Sequence, residues 1–312
     1  EQLRILMDIP STHSIFFASS ATEIWEKMIS GLVESQSFHL TNGAFSSKFY
    51  EFAKALKKSS LQLNVNEGEG FNIDTLSVPD ETELICTTQN ETSTGVQIPV
   101  EDLIRLKNNY PDTLLCTDLV SVAPYSQIDF KLIDSAFFSV QKAFGMPPGL
   151  GVWIVNEHCI AKAEQIKNKG LNVGAHNTIE NYVKNYKTFE TPSTPNVMAI
   201  YILGKIAQNM NEYGIHQLRS DIDTKAAMIY SFAEMNTQYT PLVKRYEHRS
   251  QTVVVLNTVK PSADIIESLK PFHMSVGSGY GKLKASQIRI ANFPATSIEE
   301  MERLLDVLSS ME

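Results

Sequence analysis

The feature that most constrains this fold is an alternation running through the first two thirds of the chain. Short, almost unbroken apolar runs (SIFFA, FHLT, LQLNV, ELICTT, TLLCTD, AFFSV and GVWIV) are separated by longer stretches of helical period. Runs of that length and character resemble strands. Between the first two, Ile24, Trp25, Met28, Ile29, Leu32 and Val33 fall on one side of a helix. Apolar strands alternating with amphipathic helices specify an α/β architecture, a mostly parallel central sheet layered by helices. In such sheets the ligand site lies where the carboxyl ends of the strands meet their loops.

The pattern changes after about residue 197. Helices are expected over Val197–Tyr213 and from Gly214 to about Met235. TVVVLNTV, HMSV and QIRIANF then read as strands, and SADIIESLK and SIEEMERLLDVL as helices. Ser297 with Glu300 makes a capping box for the last helix, whose apolar face is Ile298, Met301, Leu305 and Leu308. The expected division is a large domain over 1–214 and a small C-terminal α+β domain over 215–312. The chain opens already in helical pattern, so a preceding N-terminal segment is expected.

With 312 residues, 43% of them hydrophobic, the chain can bury a large core. Its formal net charge of -8, with no basic block, offers no track for a nucleic-acid backbone. No apolar run reaches the length of a membrane-spanning helix. Cys86, Cys116 and Cys159 are odd in number, and two lie in apolar runs, so they read as reduced core thiols of a cytoplasmic protein. The seven histidines show no metal-ligand spacing, and no metal is expected. His158 lies beside Cys159 and His176 in a loop; neither reads as a ligand.

Three places could carry chemistry. Lys142 ends the apolar run AFFSV after Gln141, an unusual position for an amine. A lysine at a strand end grips phosphate, acts as a base, or bonds to a carbonyl. Asp118, ending TLLCTD, could face the same crevice. In FFASSATEIW a strand runs through Ser19 and Ser20 into a helix, leaving N–H groups that suit an anion. Ser20 and Glu23 also fit an ordinary capping box there.

Taken in order, these segments resemble the class V, fold type I pyridoxal-phosphate aminotransferases, most closely the branch that acts on phosphoserine. The resemblance rests on ASSATEIW, NETSTG at Asn90–Gly95, Thr117–Asp118, SVQK with PPGLG, TPSTPNV at Thr191–Val197, and QIRIANFP at Gln287–Pro294. It covers nearly the whole chain.

The resemblance implies that Lys142 bonds covalently to pyridoxal 5'-phosphate and moves the reaction's proton, and that Asp118 pairs with the ring nitrogen. Phe45 would stack on the ring, where these enzymes usually carry tryptophan, and Thr92 would bond to the ring oxygen or phosphate. Ser20, Ala21, Thr22 and Gln141 would hold the phosphate. Thr191 would reach it from a partner subunit, implying a homodimer. Arg289 would take the substrate α-carboxylate. The usual His-Arg pair before that arginine is here Lys282-Leu283, so Lys282 and Lys284 are the candidates to grip a substrate phosphate. Glu190 stands where an asparagine is usual. The implied reaction moves the amino group of O-phospho-L-serine to 2-oxoglutarate in serine biosynthesis. The alternatives are an alanine–glyoxylate or serine–glyoxylate type of enzyme, or a non-catalytic protein of the same fold.

Overall fold

In the computed structural model, residues 1–311 are described. The chain begins with α1 (Gln2–Met7), β1 (Ser14–Ala18), α2 (Ala21–Leu32), β2 (Gln36–Thr41), α3 (Ala44–Ala55) and β3 (Ser59–Asn64). It continues with β4 (Leu84–Thr88), β5 (Asn90–Glu91), β6 (Val96–Gln97), α4 (Val100–Asn109), β7 (Leu114–Asp118), β8 (Ser135–Ser139) and β9 (Gly151–Val155). Helices α5 (Glu157–Asn168), α6 (Ile179–Tyr186), α7 (Val197–Tyr213) and α8 (Ile215–Met235) follow. The last part holds β10 (Tyr239–Pro241), β11 (Val253–Thr258), α9 (Ser262–Leu269), β12 (Gly277–Ser278), β13 (Gln287–Ala291) and α10 (Ile298–Ser309).

Among the described residues, seven strands form one sheet in the order β1-β9-β8-β7-β4-β2-β3. β9 is antiparallel to both its neighbours, and the other pairs are parallel. Six carboxyl ends therefore lie along one edge. Alternate residues serve two cores: Ala136 and Phe138 of β8 face one, and Phe137 the other. β9 divides in the same way, with Val152 and Ile154 opposite Trp153 and Val155. That is why the strands read as continuous apolar runs.

Helix α2 buries Ile24, Trp25, Met28, Ile29 and Leu32 as its spacing requires. A third core gathers around the sheet β10-β11-β13-β12, with Ala226, Ile229 and Ala233 of α8 and Met301, Leu305 and Leu308 of α10. α8 touches both parts of the chain, since Arg219 donates to the Tyr125 carbonyl at 2.9 Å. The capping box at α10 forms as expected, with Ser297 and Glu300 each accepting the other's N–H.

Two local expectations are corrected. HMSV is not a strand: a 3-10 helix ends at Phe272, His273 is left-handed, and the ladder begins only at Gly277, opposite Arg289. The second correction concerns α2. Ser20 Oγ accepts the Glu23 N–H at 3.1 Å, but the Glu23 carboxylate does not return to Ser20. It accepts instead from Ser19 N and Oγ, at 2.8 and 2.5 Å, and from Asn177 Nδ2 at 2.6 Å. Three donors from one residue and a distant loop outbid a single N–H. All three cysteines are buried and free, and burial pushes each thiol well up.

Candidate active site

The turns that leave the shared sheet edge carry the site. Ser19–Thr22 follow β1, Asn42–Phe45 follow β2, Gln89–Thr92 follow β4, Asp118 closes β7, and Gln141–Lys142 follow β8. Asp118 and the strand leading to Lys142 are direct neighbours, with Asp118 in register with Phe137.

Lys142 sits on a turn closed by Gly145 N–H on the Lys142 carbonyl at 2.9 Å. Gly145 there has φ 64°, a conformation that favours glycine. The side chain is half-buried, and its amine makes no hydrogen bond or ion pair among the described residues. Burial holds its pKa below the ordinary value, and the charge of Arg289 lowers it further. Desolvation and a cationic neighbour are the two means of freeing a lysine's lone pair near neutral pH.

Asp118 is buried. Its carboxylate accepts the Val120 N–H at 2.8 Å, and its carbonyl accepts the Gln89 N–H at 3.1 Å. Burial pushes its pKa up to about 7, and Glu91 adds to the shift, against the Val120 N–H and Trp25. Trp25 Nε1 faces it without closing a hydrogen bond of ordinary geometry. Such a buried acid is suited to a cationic partner.

Arg289 reaches across from β13. Its Nε donates to the Ser278 carbonyl at 2.8 Å and its Nη1 to the Thr92 carbonyl at 3.4 Å. The guanidinium lies 5.4 Å from the centre of Tyr280, and the Tyr280 ring lies 5.4 Å from that of Phe45. Phe45 and Thr92 thus gather beside Arg289, one through Tyr280 and one through its carbonyl, and the same guanidinium acts on Lys142 through its charge. Tyr280 is a member that the sequence did not disclose; its only local signal is an aromatic in a glycine-rich loop before Arg289.

At α2, Ala21 N–H is not free for an anion, because it donates to Ser139 Oγ at 3.0 Å. The Thr22 N–H in the same first turn has no partner among the described residues. Gly151 holds this turn against the sheet, since a Cβ there would lie 2.7 Å from the Ser20 carbonyl carbon. Gln141 is exposed. Thr191 donates to the Ser193 carbonyl at 2.7 Å and lines a cavity of about 360 Å³ with Ala18, Ser19, Glu23 and Asn177. Glu190 is turned toward Thr188 Oγ1, 3.0 Å away.

The two lysines offered for a substrate phosphate separate. Lys282 lines a polar cleft of about 280 Å³ with Asn42, Thr94 and Tyr280, and pairs with Glu67 at 3.5 Å. Lys284 is exposed and outside that cleft's lining; its carbonyl accepts from Ser262 Oγ and its backbone N–H donates to the Gly281 carbonyl.

The family model for aminotransferase class-V matches residues 1–282. The chain belongs to the class-V aminotransferases. A phosphoserine aminotransferase of Rhodococcus opacus (strain B4) is 27% identical over 303 residues, covering 96% of this chain and 80% of that protein. The crystal structure of a phosphoserine aminotransferase from Cytophaga hutchinsonii is 41% identical, with a TM-score of 0.97, covering 99% of this chain and 86% of that one. An aspartate aminotransferase of Thermus thermophilus has a TM-score of 0.85 at 18% identity, covering 99% and 87%, and shows the fold alone. As a class-V aminotransferase of fold type I, the chain is a transaminase. No helix among the described residues is long and apolar enough to cross a membrane.

Proposed function

We propose that this aminotransferase uses pyridoxal 5'-phosphate to move the amino group of O-phospho-L-serine to 2-oxoglutarate, serving serine biosynthesis in the cytoplasm. The observation that carries the reading is the unpaired Lys142 amine, its pKa lowered, one strand from the buried Asp118. The residues fit the cofactor. Asp118 lies buried where a ring cation would stabilise its charge, Phe45 offers an aromatic face, and Thr22 offers a free N–H at a helix start. Thr92 and Gln141 complete the set, with Ser20 and Ala21 shaping the turn.

When bound, the cofactor supplies the electron sink for deprotonating the substrate α-carbon. The protein's own work is orientation and proton transfer. Arg289 would take the α-carboxylate through a two-point fork. Lys142, whose pKa is lowered by burial and by Arg289, would hold the α-proton at its Nζ as the base. Phosphoserine as donor is supported by the likeness to the Cytophaga hutchinsonii phosphoserine aminotransferase over 99% of the chain.

A homodimer is supported by an apolar face flanking Thr191. Phe189 is 98% exposed, and Val197, Met198 and Tyr201 are each more than 60% exposed. A second copy covering this face would bring Thr191 to its neighbour's cofactor phosphate.

A second reading is an alanine–glyoxylate type of enzyme. It is favoured by the Lys282–Glu67 pair, which leaves no spare positive charge at the cleft's rim. Supplying phosphoserine, alanine and serine in turn to the cofactor-loaded protein decides. The proposed function predicts one equivalent of 3-phosphohydroxypyruvate per site before any acceptor is added. Oxo-acid release from alanine alone supports the second reading.

A further inference from the structure

Between Asp118 and Arg289 lies a carboxylate to which neither the sequence motifs nor the reaction gives a role. Glu91 is fully buried. Its Oε1 accepts from Phe45 N at 3.3 Å, Ser93 N at 3.1 Å and Ser93 Oγ at 2.7 Å. Its Oε2 accepts from Ser46 N and Ser46 Oγ, both at 2.8 Å. Five donor groups thus converge on the two oxygens of one buried carboxyl.

The two serines extend its reach. Ser46 Oγ accepts the Asn42 N–H at 3.1 Å, and Ser93 Oγ accepts the Ala44 N–H at 2.9 Å. The backbone N–H groups of Asn42, Ala44, Phe45 and Ser46 therefore all end on Glu91, directly or through one hydroxyl. Gly43 seals the contact: a Cβ there would lie 2.4 Å from Glu91 Cγ. Capping α3 alone would need only a local serine or aspartate at the N-cap. Here the cap comes from another strand, one residue before the Thr92 whose carbonyl holds Arg289.

We propose that Glu91 is a positioning residue of the active site, which fastens the Phe45 turn to the Thr92 turn and sets the field between Asp118 and Arg289. The inference rests on the reading that Phe45 and Asp118 face the cofactor ring. Its charge adds to the rise that burial causes at Asp118 and opposes the lowering that burial causes at Arg289. The other groups acting on Asp118 are the Val120 N–H and the Trp25 indole, with the neutral Cys116 thiol two residues before it.

The test uses Glu91→Gln in the full chain, with three readouts. These are amide exchange over 42–46, the titration midpoint of Asp118 followed by NMR, and the dissociation constant for pyridoxal phosphate. Expected are faster exchange confined to that turn, a lower Asp118 midpoint, and cofactor binding weakened about tenfold or more, as misplacement of a contact by a fraction of an ångström costs. Global destabilisation with the midpoint and the cofactor constant unchanged would overturn the proposal. Should that variant not fold, Ser46→Ala/Ser93→Ala keeps the charge and removes two donors. It should speed exchange over 42–46 and weaken cofactor binding, and an unchanged constant overturns the role. Because exchange and the Asp118 midpoint are read without substrate or cofactor, failure of the phosphoserine reading leaves these outcomes distinguishable.

Discussion

Arg289 Nη1 donates to the carbonyl of Thr92 at 3.4 Å, joining residues 197 positions apart. The bond links the four-stranded sheet of the C-terminal part to the loop after β4, so a substrate carboxylate held by Arg289 is referred directly to the strands that carry Asp118 and Lys142. An arginine already fixed by the Ser278 carbonyl and the Tyr280 face presents its remaining N–H groups with little entropy left to lose.

Arg289→Lys should therefore raise KM for the amino donor by roughly 10- to 100-fold, the loss of one bidentate contact, about 1.5–3 kcal/mol. Steady-state kinetics check this. Cofactor binding to the same variant should stay near that of the parent.

Asp118 gives a pH prediction for the cofactor-free protein. Its folded pKa is raised from 3.8 to about 7, so the fold prefers the neutral acid. The stability this contributes is complete below pH 4 and is lost as the pH rises toward 7, on the order of 4 kcal/mol at most. Asp118→Asn should flatten that slope in denaturant titrations run across this window. Added cofactor should oppose the slope in the parent and not in the variant.

Gly151→Ala should disturb the turn over α2, because the new methyl meets the Ser20 carbonyl carbon. Overpacking of this kind costs about 1–3 kcal/mol. Thermal unfolding reads the loss, and cofactor titration should show weaker binding than the stability change alone would give.

Phe189→Asp with Met198→Asp places charge on the apolar face beside Thr191. Light scattering should find the parent dimeric and the variant monomeric, with cofactor affinity reduced in the monomer. A parent that is monomeric at micromolar concentration contradicts the proposed assembly.

The sheet was legible in the sequence because strands buried on both faces must be apolar at nearly every position, as Phe137, Phe138, Val152 and Trp153 are. Helix α2 was legible from its period. What escaped was set by distant partners. Glu91 answers a helix start that lies 45 positions earlier, and no local pattern announces that. Glu23 turns to Ser19 because Asn177, far along the chain, adds a third donor. Lys282 pairs with Glu67, far back along the chain, and no local pattern announces that. β12 is two residues long and has no apolar run to mark it. Of the expected site residues, Phe45 and Thr92 gather beside Arg289, whose charge acts on Lys142, and Lys284 stands apart.

The central claim is that Lys142 bonds covalently to pyridoxal phosphate. Borohydride reduction of the cofactor-loaded protein, followed by peptide mass mapping, tests it most directly. The expected product carries a phosphopyridoxyl group on Lys142, and Lys142→Ala loses it. A label on another lysine, or none on a protein that has taken up the cofactor, would contradict it.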